Sequence, residues 1–172
     1  MRLRIGRTKP MLVDLTWHEY EMAGHVGFRR KVESLRLGHK DRYGSVWTPR
    51  NDVGTSVISS VAELAVGKCL NLYWDGAINT FSRPDLGNLE IKSQDHHTID
   101  NYKETNFLVI KPDSPPELIH ILVLTHSHLR YEVVGWVFAK EGKLKQFERQ
   151  NHNRPMFYGV PVEHLNDIKE LP

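Results

Sequence analysis

The spacing of apolar residues changes once along this chain, near residue 71, and that change limits which folds are open to it. Before residue 71, apolar positions recur mostly every three or four residues, which is the period of an amphipathic helix. After it come segments rich in β-branched and aromatic residues, separated by breaks such as "KPDSPPE". We therefore predict an α+β (α/β) protein with a central mixed, largely antiparallel sheet flanked by helices.

Two helices are predicted in the first part of the chain. The first covers 16–37 and begins at Thr16, whose hydroxyl forms a capping box with Glu19. The second covers about 56–70, and the segment before it, rich in Gly, Pro, Asn and Asp, is predicted to be a loop. Glu63 lies in the second helix. From local sequence alone, the simplest interpretation is an exposed glutamate on the polar side.

The strand segments organise the rest of the chain. The apolar tract 118–124 is long enough to be a central strand that is buried on both faces. We predict a single domain over 1–172, with a helical part over about 1–70, a sheet core over about 71–142 and a tail over 143–172, in which a short helical pattern follows two prolines.

Composition and charge narrow the functional classes. The 172 residues are 40% hydrophobic and 26% charged, as in ordinary globular proteins. No apolar run approaches the roughly 18 to 20 residues of a membrane span, and the beginning does not resemble a cleaved leader, so a cytoplasmic protein without a membrane partner is expected. Residues 1–50 carry 11 Lys and Arg against 5 Asp and Glu, whereas the rest is acidic. Such asymmetry suits a protein that grips phosphate with one part and metal with the other, although ordinary variation explains it equally well.

The segment "RPDLGNLEIKS" (83–93) holds two acids and a lysine around a Gly-Asn turn. The turn places Asp85 and Glu90 on opposite arms of a tight bend, so that their carboxylates can converge. Because strand side chains alternate between faces, Glu90 and Lys92 share one face while Ile91 enters the core.

This arrangement suits a hard divalent cation. Mg²⁺ prefers one or two carboxylates together with water and phosphate oxygens, and the carbonyl of Ile91 would add a further ligand. Lys92 would orient an attacking water or stabilise the phosphate. The alternative is a solvated hairpin whose charges have no chemical role.

Pro84-Asp85 followed by Glu90-Ile91-Lys92 resembles the PD-(D/E)XK motif of the restriction-endonuclease-like nucleases. The resemblance implies that fold, with Asp85 and Glu90 as Mg²⁺ ligands and Lys92 assisting the water. Mn²⁺ would substitute for Mg²⁺. It also implies DNA as the substrate, with endonuclease activity favoured over exonuclease activity.

The resemblance extends more loosely over about 53–140. An extra acid in that superfamily often comes from a helix before the motif, and Glu63 is in the matching place. The segment 122–143 is similar to the strand pair that follows the motif in small phage-type members. A phage-encoded member would act in the host cytoplasm, and a homodimer is suggested by analogy with restriction-type nucleases.

Several other residues are candidates for nucleic-acid or metal contacts. Arg29, Arg30 and Lys31 are the densest basic cluster on the first helix and either contact DNA phosphates or decorate a solvated face. Gln94 and Arg83, which flank the motif, are further candidate DNA contacts. His126 and His128 would share one side of a strand as a zinc pair, but no third ligand has a recognisable spacing.

Two functional hypotheses follow. The first is a Mg²⁺-dependent DNA nuclease that uses Asp85, Glu90, Lys92 and Glu63. The alternative is a non-catalytic DNA-binding or assembly protein that has a nuclease-like sheet and binds DNA through its basic first helix, independently of metal.

Overall fold

The computed structural model describes residues 9–39, 48–78, 83–95, 106–150 and 155–172. The helices and strands are β1 (Met11–Asp14), α1 (Trp17–Arg36), α2 (Pro49–Leu70), β2 (Leu89–Asp95), β3 (Phe107–Ile110), β4 (Ile119–Thr125), β5 (Arg130–Phe138), α3 (Ala139–Gly142), β6 (Glu148–Arg149) and β7 (Phe157–Pro161). Short 3₁₀ turns complete the described chain. Helices together with a mixed, mostly antiparallel sheet confirm the predicted α+β class.

Helix α1 begins as the sequence predicts. Thr16 accepts a hydrogen bond from the Glu19 backbone N–H, and the Glu19 side chain accepts one from the Thr16 N–H, so the capping box is complete. The helix continues through Gly27, which is buried against α2. A Cβ at residue 27 would lie 2.4 Å from the Ser56 carbonyl oxygen, so this crossing of the two helices requires glycine.

Helix α2 begins earlier than the sequence indicated. The segment before residue 56 was predicted to be a loop, but the helix starts at Pro49. Thr48 caps it by accepting a hydrogen bond from the Asn51 backbone N–H, and proline in the first turn is compatible with a helix because its missing N–H would have no partner there. The turn-forming composition was therefore a helix start, and the rest of the predicted loop, residues 40–47, lies outside the described residues.

Helix α2 is also, by length and composition, the one described helix that could cross a membrane, which the sequence prediction did not anticipate. Core helices of soluble proteins pass the same test. Here α2 packs against α1 and the central sheet, and the structure is compatible with a soluble protein.

The central sheet has the strand order β1-β5-β4-β2. Strand β4 is buried on both faces, since residues 118–124 are all less than 9% exposed, which confirms the predicted central strand. The predicted run of antiparallel strands is wrong at one place, because β2 and β4 are parallel. The cause is β3, which lies between them in the chain but joins a second sheet, so β4 returns in the direction of β2.

The second sheet has the order β3-β7-β6 and covers one face of the central sheet, whereas α1 and α2 cover the other. The tail is therefore part of the fold, since β7 pairs with β3. The short helical pattern predicted in the tail is reduced to 3₁₀ turns at Val162–His164 and Ile168–Glu170. Likewise, β1 adds a strand to the part predicted as helical, pairing with β5.

Gly27→Ala tests the close helix crossing. The added methyl group would meet the backbone at Ser56, and we expect the free energy of unfolding to fall by about 1–3 kcal/mol. Gly24→Ala is the matched control, because its Cβ would meet only the Val57 side chain at 3.6 Å. It should be neutral or stabilising by up to about 1 kcal/mol. Urea denaturation followed by circular dichroism measures both, and equal stabilities would contradict the crossing.

Candidate active site

The predicted turn after Asp85 is present. Leu86 and Leu89 exchange both backbone hydrogen bonds, 3.1 and 2.9 Å long, across Gly87 and Asn88. Gly87 has a φ of 62°, in the left-handed region that glycine adopts without strain. The turn sends the chain directly from Asp85 into β2.

The carboxylate of Asp85 is bound to the edge of β2. Its Oδ2 accepts a hydrogen bond of 2.7 Å from the backbone N–H of Ile91. The Asn88 carbonyl accepts a hydrogen bond from the Ile119 N–H of β4. In a parallel pair the N–H and C=O of one residue point to the same side and alternate along the strand, so those of every second residue, beginning with Leu89, face away from β4. We call this side the open edge of β2. It bears the backbone N–H and C=O groups of Leu89, Ile91 and Ser93, and no described strand pairs with it. The Ile91 carbonyl therefore faces the same side as the Asp85 carboxylate.

Glu90 and Lys92 share the face of β2 that looks toward the second sheet. The Lys92 Nζ donates a hydrogen bond of 2.5 Å to Glu90 Oε1, and the two side chains are 24% and 21% exposed. Ile91 lies in the core on the helix side. This alternation confirms the faces predicted from the sequence.

The environment of Asp85 raises its pKa to about 7. Burial is the main cause, and the neighbouring carboxylates of Glu90 and Glu63 add to it. The Lys92 ammonium and the hydrogen bond from Ile91 act in the opposite direction. Both glutamates disfavour the ionised form of Asp85, although Arg30 and Lys92 are paired with them.

Glu63 approaches from the opposite, helix-covered face of the sheet. The expectation of an exposed glutamate is wrong, because Glu63 is only 4% exposed. Arg30 Nη1 donates to both of its oxygens at 2.6 and 2.8 Å, and Trp74 Nε1 donates to Oε2 at 3.0 Å. Its carboxylate is thus fully engaged by the protein, and its assignment as a metal ligand stays a prediction.

His120 belongs to this site, and sequence reasoning missed it. It pairs in register with Glu90 and is 1% exposed. Neither ring nitrogen has a hydrogen-bond partner within the described part of the chain. Burial, followed by the nearby Lys92 ammonium, lowers the pKa of His120 to about 4. The available signal was a single histidine inside the apolar tract "LIHILVL".

The predicted DNA contacts are largely engaged inside the protein. Arg30 is bound to Glu63, and Lys31 forms an ion pair of 2.7 Å with Asp52. Arg29 is exposed and has no ion pair among the described residues. The three basic residues are adjacent in the sequence, but in the structure two of them are held in ion pairs and the third is exposed.

The two candidate contacts that flank the motif also have protein partners. Arg83 is ion-paired with Asp75. Gln94 bonds Phe107 and Asn106, and so connects β2 to the start of β3.

The histidine pair does not lie on a strand, because β4 ends at Thr125. His126 Nε2 lies 2.5 Å from Glu132 Oε2, whereas His128 Nδ1 lies 3.3 Å from the Tyr20 hydroxyl. Within the described ranges, no group of three or more His, Cys, Asp or Glu residues is placed to hold a metal ion. The zinc pair therefore gains no third ligand, and a site at Asp85 would rely on two carboxylates and a carbonyl.

Comparisons of the chain with protein-family models, with curated proteins and with solved structures found no match. The resemblance to the PD-(D/E)XK nucleases stays a prediction that depends on residues 84–92.

The raised pKa of Asp85 predicts a pH dependence of stability in the presence of chelator. Because the folded-state pKa lies above the unfolded value, the favourable contribution is complete below about pH 4 and is lost as the pH rises through 7. Asp85→Asn keeps an acceptor for Ile91 but cannot ionise. Relative to wild type, we expect it to gain on the order of 2 kcal/mol between pH 5 and pH 8.

Asp75→Asn is the control for this measurement. Hydrogen bonds from Ala77 and Arg83 lower the pKa of Asp75. Replacing this carboxylate should therefore produce no gain in stability between pH 5 and pH 8 relative to wild type. Urea denaturation at both pH values compares the variants. A constant difference between wild type and Asp85→Asn would contradict the electrostatic description of the site.

His120→Leu should stabilise the fold. Burying two unpaired ring nitrogens is unfavourable, and leucine fills a similar space without them, so we expect a gain of about 1–2 kcal/mol. His128→Leu is the control, since this exposed histidine contacts Tyr20 and its replacement should bring no gain. Thermal unfolding measures the effect, and a lower midpoint for His120→Leu would show that the imidazole is satisfied in solution.

Proposed function

We propose that this chain is a divalent-metal-dependent nuclease that hydrolyses phosphodiester bonds in DNA. The observation that carries the proposal is the carboxylate of Asp85 held on the Ile91 peptide at the open edge of β2, beside Glu90 and Lys92. Asp85, Glu90 and the Ile91 carbonyl would hold Mg²⁺, or Mn²⁺ in its place.

The chemistry of these donors fits such an ion. All are oxygen ligands, and Mg²⁺ in proteins is commonly held by only one or two carboxylates, with water and substrate phosphate completing its coordination. Burial is the main cause of the raised pKa of Asp85, and the carboxylates of Glu90 and Glu63, which add to it, would also favour a divalent cation. When bound, the ion would lower the pKa of a water molecule and offset charge on the phosphate.

In this proposal, Lys92 is the protein group that acts directly on the reacting atoms. Its ammonium donates a hydrogen bond to Glu90 Oε1. With Glu90 and Asp85 holding the ion, the Lys92 Nζ would donate to the attacking water or to a phosphate oxygen. The lysine thereby orients the nucleophile, and it carries a charge opposite to that which develops on the phosphate.

Glu63 supports the site from the helix side. Its buried carboxylate raises the pKa of Asp85 while Arg30 and Trp74 hold it in place. A direct role as a metal ligand requires Arg30 to release it. We therefore propose Glu63 first as a charged residue that positions and polarises the site.

Endonuclease activity, action as a homodimer and a cytoplasmic location remain parts of this proposal that follow from the resemblance. The alternative, a non-catalytic DNA-binding or assembly protein, relies on the basic first helix. In the structure Arg30 and Lys31 form ion pairs within the protein, and Arg29 is the exposed cation of that cluster. The structure therefore supports DNA binding through the first helix less than the sequence alone did.

Cleavage of DNA in Mg²⁺ or Mn²⁺ tests the proposal. Asp85→Asn and Lys92→Met should each lower the rate constant by about 100-fold or more, as loss of a group that stabilises the transition state does. Mn²⁺ binding followed by calorimetry should disappear in Glu90→Gln.

The surface ion pair of Lys140 and Glu117 provides matched controls. Lys140→Met and Glu117→Gln change the same residue types and should leave cleavage and metal binding unchanged. Cleavage that persists at the wild-type rate in both Asp85→Asn and Lys92→Met would overturn the assignment of the site.

A further inference from the structure

A groove of about 720 Å³ lies at the end of β2, lined from Ser93 onward. It lies between the first part of α2, from Arg50 to Ile58, and residues 93–95, with Asn106 and Phe107 completing the wall. We call it the edge groove. Ser93 follows Lys92 directly, and it lies about 6.6 Å beyond Ile91 along the strand. The backbone N–H and C=O of Ser93 face the same open edge as those of Ile91, which binds the Asp85 carboxylate, and Ser93 is part of the groove wall.

The amide groups in the wall of the edge groove leave one acceptor unused. Gln94 Nε2 donates to the Phe107 carbonyl at 2.7 Å, which turns Gln94 Oε1 toward Asn106 Nδ2 at 2.9 Å. This chain of bonds determines the orientation of both amides, because a backbone carbonyl can only accept. Asn106 Oδ1 is therefore an acceptor, and within the described residues it has no partner although Asn106 is 4% exposed. Such an acceptor is unfavourable unless a donor reaches it.

The remaining wall combines apolar, polar and cationic groups. Ile58 and Phe107 provide apolar surface, while Ser93 and Thr55 contribute hydroxyl groups. Arg50 stands in the first turn of α2, where the partial positive charge of a long helix also favours anions. Gly54 has open space beside it, since a Cβ there would meet no atom of the described residues within 4 Å.

A nucleotide matches this combination. An apolar wall suits the face of a base, and amide and hydroxyl groups suit its edge. The unused Asn106 Oδ1 would accept from an exocyclic amino group, and Arg50 would face a phosphate. Asp95 is the carboxylate in the wall, and it opposes phosphate binding.

We propose that the edge groove binds a nucleotide of the substrate strand adjacent to the phosphodiester bond that the candidate active site cleaves. This inference rests on the proposed nuclease function for the identity of the strand. The binding of an oligonucleotide is nevertheless measurable without cleavage.

Gly54→Phe tests the groove by filling it. In chelator, we expect the anisotropy of a fluorescent single-stranded oligodeoxynucleotide to report affinity at least tenfold weaker than wild type. Gly54→Ala is the matched control, since it changes the same helical position without occupying the groove, and it should bind like wild type. Asp95→Asn, which removes the opposing charge, should bind more tightly, whereas Asn106→Leu should bind more weakly.

Hydrolysis of the small diester bis(4-nitrophenyl) phosphate separates this inference from the proposed function. We expect Gly54→Phe to raise the KM for DNA but to leave hydrolysis of the small diester unchanged. Unchanged oligonucleotide affinity and KM in Gly54→Phe would overturn the groove assignment while the nuclease proposal stands. Wild-type binding that is lost in Gly54→Phe, in a protein that hydrolyses neither substrate, would support the groove and overturn the nuclease.

Discussion

The partly buried contact between Arg30 and Glu63 joins three parts of the fold. Arg30 extends from α1, bonds Glu63 of α2 and donates to the Ala77 carbonyl at 2.8 Å. Trp74 bonds the same carboxylate. Removing one partner of a buried ion pair leaves the other charge without compensation, which typically destabilises a protein by about 3–5 kcal/mol. The pair therefore holds Trp74 and Ala77 against the two helices, and it also places a negative charge near Asp85.

The candidate site gathers groups from three sides of β2. Asp85 lies at the open edge, Glu90 and Lys92 on the face toward the second sheet, and Glu63 on the helix side. Charged side chains on any one of these surfaces would be an ordinary feature of a sheet. Together they concentrate carboxylates in a partly buried space, and the pKa of Asp85 rises as a result. His120 belongs to the same unfavourable arrangement, since it is buried beside Glu90 and none of the described residues forms a hydrogen bond with its ring. Local instability of this kind is common where binding or catalysis takes place.

Predictions from the sequence were accurate where the signal was local. The capping box at Thr16, the turn at Gly87 and the alternation of Glu90 and Lys92 depend on neighbouring residues, and all three are present. Several other predictions were wrong. The parallel pairing of β2 with β4 depends on where β3 goes, which no periodicity reveals. The early start of α2 at Pro49 was hidden because a helix start and a loop share the same residue types.

The sequence by itself determined that Asp85, Glu90 and Lys92 lie around one tight turn, because fewer than ten residues and a glycine constrain their geometry. Tertiary structure alone decided which other groups join them. The sequence alone is compatible with an exposed Glu63, whereas in the structure Arg30 and Trp74 bond its buried carboxylate. An ion pair between residues 33 apart in the sequence depends on packing between helices. The edge groove has the same origin, as its walls come from segments brought together by burial of apolar surface rather than by any local motif.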